Sequence, residues 1–77
     1  MSIEKFVEKF AFAIEAEPDS LSPDTEYKQL EQWDSLNTLS IIAMADADYG
    51  VTLSGQAIAD ARTIADLWAV VSVKGGA

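Results

Sequence analysis

The chain has 77 residues, of which 49% are hydrophobic, and its 13 acidic and five basic side chains give a formal net charge of −8. It contains no cysteine and no histidine, which excludes disulfides, thiolate zinc sites and a Ser-His-Asp triad within the chain. The acidity disfavours nucleic acid and anionic membranes as partners, and the length predicts one small domain, residues 1–77.

The N-terminal part of the sequence predicts a helix and then a long loop. Apolar residues at helical spacing define the helix; they are Ile3, Phe6, Val7, Phe10 and Ile14. Ser2 can cap its start, and Pro18 is expected to end it by disfavouring helix at Glu17. A loop as long as Asp19–Trp33 is unusual in a small domain, so we expect it to be functional or to contain a turn of helix. Four apolar residues are expected to hold it against the bundle: Leu21, Tyr27, Leu30 and Trp33.

A second helix is predicted from Asp34 or Ser35 to Tyr49, and Gly50 can close it in the left-handed conformation. On a helical wheel its apolar and small residues occupy two faces. The expected core-facing arc comprises Thr38, Ile41, Ile42, Ala45 and Tyr49. The other face, called here the Leu36–Ala47 stripe, comprises Leu36, Ser40, Ala43 and Ala47. We expect this stripe to be exposed and to bind partners, unless other helices cover the second helix on both sides.

The last third predicts one short and one long helix. After the connector Val51–Leu53, Ser54 can cap a brief helix that buries Ala57, Ile58 and Ala61. Thr63 opens the final helix, and Asp66 completes a capping box. The apolar stripe of that helix comprises Ile64, Leu67, Trp68 and Val71, whereas the tail, residues 74–77, is expected to fray.

These elements predict an all-α fold, a small bundle of three main helices and one short helix. The expected core residues are Phe6, Phe10, Ile41, Ile42, Leu67 and Trp68.

Ser35 has two interpretations. Its hydroxyl can accept an orphan backbone N–H at the helix start, and on the residues alone this capping role is favoured. Alternatively, an exposed hydroxyl at the positive end of the helix dipole can carry a phosphate group, which the dipole stabilises.

The segment Trp33-Asp34-Ser35-Leu36 resembles the Asp-Ser-Leu signature of the acyl carrier proteins. Further matches in order and spacing extend this resemblance over nearly the whole chain; they are Pro23-Asp24-Thr25, Tyr49-Gly50, Leu53 and Thr63-Ile64-Ala65-Asp66-Leu67. The resemblance implies that Ser35 receives 4′-phosphopantetheine from coenzyme A through a phosphodiester bond. It implies a carrier without catalytic activity, which holds an acyl or aminoacyl group as a thioester.

The resemblance also implies partners. They are a phosphopantetheinyl transferase, an acyl or aminoacyl ligase or acyltransferase, and synthase-type enzymes with basic docking patches that contact Asp34 and the Leu36–Ala47 stripe. A fatty cargo is expected between the helices near Ile42, Ala45 and Ile58. We expect a monomer without a bound metal. Because no signal peptide or membrane-spanning run is present, we expect a cytoplasmic protein that does not contact membranes.

Two departures from the family pattern indicate a specialised carrier. Trp33 stands where glycine is common, and Ser40 and Ala47 stand where glutamates are frequent, although Asp34, Asp46 and Asp48 remain. We therefore expect the protein to act in one dedicated biosynthetic pathway rather than with the general fatty acid synthase enzymes. A peptidyl or D-alanyl carrier and an unmodified helical adaptor remain alternatives.

Asp46 and Asp48 do not indicate a catalytic or calcium site. The twelfth position of a calcium loop starting at Asp46 is Ala57 instead of glutamate. Residues two apart on a helix also point in different directions, so the two aspartates do not form an acid–base pair.

Overall fold

The computed structural model describes the backbone of residues 2–75, which form four α-helices and no strand. The helices are α1 (Ile3–Ala13), α2 (Ser35–Tyr49), α3 (Gly55–Asp60) and α4 (Ile64–Gly75), and two short 3₁₀ turns cover Pro18–Ser20 and Tyr27–Gln29. α2 packs against α1, α3 and α4. The predicted all-α bundle of three main helices and one short helix is confirmed.

Side-chain caps start three of the helices at the predicted residues. Ser2 Oγ accepts the N–H of Lys5 at 3.2 Å, and Ser54 Oγ accepts the N–H of Ala57 at 3.0 Å. At α4, Thr63 Oγ1 accepts the Asp66 N–H while Asp66 Oδ2 accepts the Thr63 N–H, both at 3.1 Å. Asp66 accepts backbone hydrogen bonds from Thr63 and also from Arg62. These bonds, that from Thr63 most strongly, hold the pKa of Asp66 below its usual value.

Two predicted helix ends are wrong. α1 ends at Ala13 and not beside Pro18, because Glu15 adopts a φ of 58° and turns the chain out of the helix. Pro18 instead begins the first 3₁₀ turn. At the other end of the chain, Lys74 and Gly75 belong to α4 instead of a frayed tail, and residues 76 and 77 lie outside the described residues. By contrast, Gly50 closes α2 with a φ of 66°, as predicted.

The core lies where α1, α2 and α4 meet. Four of its six predicted members are fully buried, namely Phe6, Phe10, Ile41 and Leu67, but Ile42 and Trp68 are only partly buried. On α2 the buried residues are Ile41, Met44 and Ala45. The helix is thus rotated towards Met44 relative to the predicted arc, and Ile42 lies at the edge of the core.

The loop between α1 and α2 is bonded to the opposite side of the bundle. The buried Tyr27 hydroxyl donates to the carbonyl of Ile58 at 2.6 Å, and the Lys28 ammonium donates to the carbonyl of Ala59. Nearer the start of the loop, the N–H groups of Ile64 and Ala65 donate to the carbonyls of Thr25 and Pro23 at 3.1 and 2.9 Å. The loop therefore holds α3 and the first turn of α4 in place, although Tyr27 and Ile58 are 31 residues apart in the sequence.

The predicted contacts of this loop with the core are confirmed. Leu21 and Tyr27 are buried, whereas Leu30 and Trp33 are partly buried and pack against the core. The turn of helix expected within the loop is present as the two 3₁₀ turns.

Truncation of Ile41 tests the rotation of α2. We expect Ile41→Ala to lower the free energy of unfolding by about 2–5 kcal/mol, because it leaves a cavity in a fully packed core. The adjacent Ile42→Ala is the matched control and should cost clearly less. Chemical denaturation measures both variants, and a larger loss for Ile42→Ala would contradict the observed orientation of α2.

The Tyr27 hydroxyl provides a test at alkaline pH. Burial first, and then the charge of Asp66, raises the pKa of Tyr27 from 10.0 to about 12. The pKa of Tyr27 is higher in the folded state than in the unfolded state. The stabilisation that its protonated hydroxyl provides is therefore complete below pH 10 and is lost as the pH rises from 10 towards 12. The free-energy difference between wild type and Tyr27→Phe should therefore shrink by about 2–3 kcal/mol over this range.

Equilibrium denaturation of both proteins at neutral pH and near the folded pKa gives this difference. Tyr27→Phe is a suitable reference because it keeps the aromatic packing and removes only the titrating hydroxyl. A difference that does not change with pH would show that the hydroxyl is not held in the buried hydrogen bond.

Candidate functional site

Ser35 is the first residue of α2 and its side chain is exposed. The helix is capped by the preceding residue, because Asp34 is extended and its Oδ1 accepts the N–H of Asn37 at 2.9 Å. The carbonyl of Asp34 accepts the N–H of Thr38 at 3.2 Å. The favoured capping role of Ser35 is therefore wrong. Its hydroxyl makes no hydrogen bond with any residue from 2 to 75, so it can react without loss of a structural contact.

Two backbone N–H groups in the first turn of α2 have no hydrogen-bond acceptor among the described residues. Asp34 takes the N–H groups of Asn37 and Thr38, whereas those of Ser35 and Leu36 have no acceptor among the described residues. A helix start of this kind carries about half a positive charge, and an anion there is stabilised by about 0.3–1 kcal/mol. A phosphate on Ser35 Oγ would lie at this positive end, so the residues present fit a phosphate-bearing group.

Trp33 holds the chain in place just before Ser35. Its ring stacks on Phe10 at a centroid distance of 6.1 Å and an interplanar angle of 8°, and it meets Tyr27 edge-on at 4.9 Å. Aromatic pairs in such geometry contribute about 0.5–1.5 kcal/mol beyond the area that they bury. The residue that departs from the family's glycine is therefore an anchor, which fixes the start of α2 against the core.

The Leu36–Ala47 stripe lies on the exposed side of α2. Leu36 is 68% exposed, Ala43 and Ala47 are exposed, and Ser40 is half-buried. The predicted exposure is confirmed, and the alternative that other helices cover this side is wrong. The sequence interpretation missed Leu39, which is also largely exposed. Its position one turn after Leu36, off the core arc, would have indicated this.

Ser40, Ala43 and Ala47 of the stripe, but not Leu36, line a groove of about 690 Å³ between α1 and α2, called here the α1–α2 groove. Its apolar and small lining comprises Phe12 and Ala13 from α1 and Ser40, Ala43, Met44 and Ala47 from α2. Phe12 is the most exposed large hydrophobic residue among residues 2–75, at 86%. The sequence interpretation missed this groove. The signal that could have indicated it is Phe12, which lies outside the core spacing that Phe6 and Phe10 define on α1.

The charges of the α1–α2 groove balance, in contrast to those of the whole chain. Lys5 and Lys9 lie on its α1 side with Glu8, and Asp48 lies on its α2 side. Lys9 Nζ and Asp48 Oδ1 are 3.7 Å apart and join the two helices. Two cations therefore face two anions here, although the chain as a whole carries a net charge of −8.

Residues 2–75 offer neither a cluster of metal ligands nor a membrane-spanning helix. No group of three or more acidic, histidine or cysteine side chains in this part of the chain could hold a metal ion. None of its helices combines the length and the apolar character that a membrane crossing requires.

The division of roles between Asp34 and Ser35 predicts unequal effects of mutation. We expect Asp34→Ala to lower the free energy of unfolding by about 1 kcal/mol, because it removes the helix cap. Ser35→Ala should change it by less than about 0.5 kcal/mol, because an exposed side chain without partners is removed. Chemical denaturation of both variants measures the difference. A larger loss for Ser35→Ala would show that its hydroxyl does cap α2 in solution.

Comparison with known proteins identifies the family. Residues 4–71 match the family described as "Phosphopantetheine attachment site", whose members bear covalent 4′-phosphopantetheine. No curated protein and no solved structure gave a significant match. The family match spans most of the chain and agrees with the resemblance of its motifs to the acyl carrier proteins. The chain therefore belongs to the family of phosphopantetheine-bearing carrier domains.

Proposed function

We propose that this protein is a single carrier domain in which Ser35 bears the 4′-phosphopantetheine arm. The arm holds an acyl or aminoacyl group as a thioester, and the domain delivers it to partner enzymes. The family match over residues 4–71 carries this proposal. The exposed hydroxyl of Ser35, without internal hydrogen bonds at the start of α2, supports the position of the attachment.

Attachment requires a separate phosphopantetheinyl transferase. Ser35 Oγ attacks the β-phosphorus of coenzyme A, and the bond from that phosphorus to the bridging oxygen of the nucleotide breaks. Adenosine 3′,5′-bisphosphate leaves, and the hydroxyl proton passes to a base of the transferase. The chain contributes the accessible nucleophile. Because the chain has no histidine to act as the base, the transferase supplies that group.

The arm supplies the thiol that the chain, which has no cysteine, lacks. In this proposal the domain catalyses no reaction of its own. Instead, the tether raises the effective concentration of the cargo at the active site of a docked partner. The rigid attachment of the helix start through Trp33 gives that tether a fixed origin.

Partner docking is proposed at Asp34 and the Leu36–Ala47 stripe. Apolar and small side chains dominate this surface, and the neighbouring rim on α1 carries Lys5 and Lys9. A partner with a basic docking patch would gain little attraction there, so shape and apolar contact must provide more of the recognition. This predominance of apolar contact supports a ligase, an acyltransferase or a synthase-type enzyme of one dedicated pathway as the partner, rather than a general fatty acid synthase.

An unmodified helical adaptor is the second candidate function. The exposed side chains of Phe12, Leu36 and Leu39 favour it, because an adaptor would use such residues to bind another protein. Peptidyl and D-alanyl carriers share the attachment chemistry, so they differ from an acyl carrier only in cargo and partners.

The attachment is tested by intact mass. After incubation with a phosphopantetheinyl transferase and coenzyme A, we expect the wild type to gain the mass of one phosphopantetheine group. Ser35→Ala should gain none. Ser72→Ala is the matched control, because it removes a serine of α4 that lies outside the proposed docking surface, and it should be modified like the wild type.

Two results would contradict this assignment. Modification of Ser35→Ala would place the arm elsewhere. Failure of the wild type with several transferases would favour the unmodified adaptor.

The docking surface is tested with Ala47→Arg. Because Ala47 is exposed, the variant should fold normally but lose at least about tenfold in its rate of loading, as expected when a charge disrupts the centre of an interface. The assay is acyl loading of the holo form by the ligase or acyltransferase of its pathway. Ala69→Arg, at an exposed position of α4, is the control and should load normally. Equal loading of both variants would place the docking surface elsewhere.

A further inference from the structure

Two of the five basic side chains of this acidic protein lie together at one small pocket. The pocket, called here the Lys28–Arg62 pocket, has a volume of about 260 Å³ and is lined by Glu26, Lys28, Gln29 and Arg62. We propose that it binds a carboxylate side chain of a partner protein. This inference rests on the proposed carrier function, because the partner is one of the enzymes that exchange cargo with the arm.

The pocket offers hydrogen-bond donors for an anion from two segments of the chain. Lys28 and Gln29 belong to the second 3₁₀ turn, and Arg62 belongs to the link between α3 and α4. The side chain of Arg62 is 78% exposed, and its guanidinium makes no hydrogen bond with any residue from 2 to 75. The fork of N–H groups on a guanidinium matches the two oxygens of a carboxylate. The ammonium of Lys28 has three N–H donors, and the carbonyl of Ala59 takes one of them.

A carboxylate of the chain itself shows that these donors accept such a group. Glu26 Oε1 accepts a hydrogen bond from Gln29 Nε2 at 3.2 Å and lies 3.9 Å from a guanidinium nitrogen of Arg62. The Glu26 side chain is 46% exposed, and an ion pair between two such exposed groups contributes little stability. A carboxylate from outside that binds Arg62 through both oxygens can therefore displace Glu26.

The neighbouring acidic side chains are bonded elsewhere and do not line the pocket. Asp60 Oδ1 accepts the side-chain amide of Gln56 at 2.9 Å. Asp66 Oδ2 accepts the backbone N–H groups of Arg62 and Thr63, both at 3.1 Å. Two cations therefore face a single carboxylate at the pocket, which leaves it positive within a chain whose net charge is −8.

Backbone contacts hold the two basic residues together. The hydroxyl of Tyr27, the residue before Lys28, lies 3.3 Å from the carbonyl of Ala61, the residue before Arg62. The bond from Lys28 to the Ala59 carbonyl joins the same two segments. Because the fold already brings the donors together, little conformational freedom is lost when an anion binds.

The pocket lies near the proposed attachment site. The ring of Tyr27, within the turn that lines the pocket, meets Trp33 edge-on at 4.9 Å, and Trp33 stands two residues before Ser35. The pocket shares no residue with the Leu36–Ala47 stripe. A partner at the start of α2 can therefore contact the pocket as well, through a charged group instead of an apolar one.

The positive charge of the pocket makes this contact selective. The chain as a whole repels an acidic side chain, whereas the pocket attracts one. The other cations do not form a second pocket of this kind, since Lys9 pairs with Asp48 beside Lys5, and Lys74 lies on α4. An acidic residue of a partner would thus determine the orientation in which the carrier docks.

The first test compares two peptides that differ only in charge. The probes are acetyl-Gly-Glu-Glu-Gly-amide and its neutral counterpart acetyl-Gly-Gln-Gln-Gly-amide, each added to the full chain in a buffer of low salt. In NMR titrations the signals of the Gln29 side-chain amide and the Arg62 Nε–H should shift with the glutamate peptide and stay unchanged with the glutamine peptide. Added salt should weaken this response, because it screens the attraction between exposed charges.

Two pairs of variants locate the response. Arg62→Gln should lose at least about fivefold in affinity for the glutamate peptide, because it removes a charged hydrogen-bond donor. Lys74→Gln, which removes an exposed cation of α4, should bind it like the wild type. Glu26→Gln removes the competing carboxylate and should bind about two- to fivefold more tightly. Glu17→Gln, at an exposed position outside the pocket, removes the same charge and should have a smaller effect.

Loading kinetics test the connection with a partner. In acyl loading of the holo form by the ligase or acyltransferase of its pathway, Arg62→Gln should raise the KM for the carrier at least about threefold without lowering kcat. Lys74→Gln should leave both constants unchanged. The difference between wild type and Arg62→Gln should shrink at high salt, which a merely structural effect of the substitution would not do.

The outcomes separate the pocket from the proposed function. Equal responses to both peptides, or an unchanged response in Arg62→Gln, would overturn the carboxylate site. Binding of acetate as tight as that of the glutamate peptide, or an unchanged KM in Arg62→Gln, would overturn the assignment to a partner. All of these results would leave attachment at Ser35 intact. Failure of the wild type to gain the mass of the arm would contradict the proposed function itself, and the partner assignment would fail with it.

Discussion

The buried hydrogen bond from the Tyr27 hydroxyl to the Ile58 carbonyl is the contact on which the organisation of this small bundle depends. It joins the long loop to α3 across 31 residues of sequence, at a donor–acceptor distance of 2.6 Å in the core. The same tyrosine ring contacts Phe10 and Trp33. Because Trp33 stands two residues before Ser35, the bond that closes the bundle also positions the start of α2. An unpaired carbonyl or a displaced ring at this point would disturb both.

At the start of α2, structural and functional roles are divided between neighbouring residues. Asp34 accepts the N–H groups of Asn37 and Thr38, so the hydroxyl of Ser35 is exposed and is not needed to cap the helix. The remaining N–H groups and the dipole of the 15-residue helix favour a phosphate at that hydroxyl. The α1–α2 groove lies further along the helix, where Ser40, Ala43 and Ala47 line it. Attachment at Ser35 and partner docking at the Leu36–Ala47 stripe are thus both proposed on the exposed side of α2.

Much of this structure could be predicted from local sequence signals, and the rest depends on contacts distant in sequence. The caps at Ser2, Ser54 and Thr63 and the left-handed Gly50 were predictable because each acts within one turn. Asp34 and Ser35 could not be separated, since both residue types cap helices. Burial of Met44 instead of Ile42 follows from how α1 and α4 orient α2, which the spacing on a single helix does not determine. The bonds from Tyr27 and Lys28 to α3 likewise link residues that no periodic pattern connects.

The central claim is that Ser35, and no other hydroxyl, carries the arm. Peptide mapping by tandem mass spectrometry of the transferase-treated wild type tests it most directly, because the chain also offers serines at positions 2, 20, 22, 40, 54 and 72. The account predicts phosphopantetheine on the peptide that contains Ser35, with fragment ions that place it on that residue. Phosphopantetheine on any other serine or on a threonine would contradict the account.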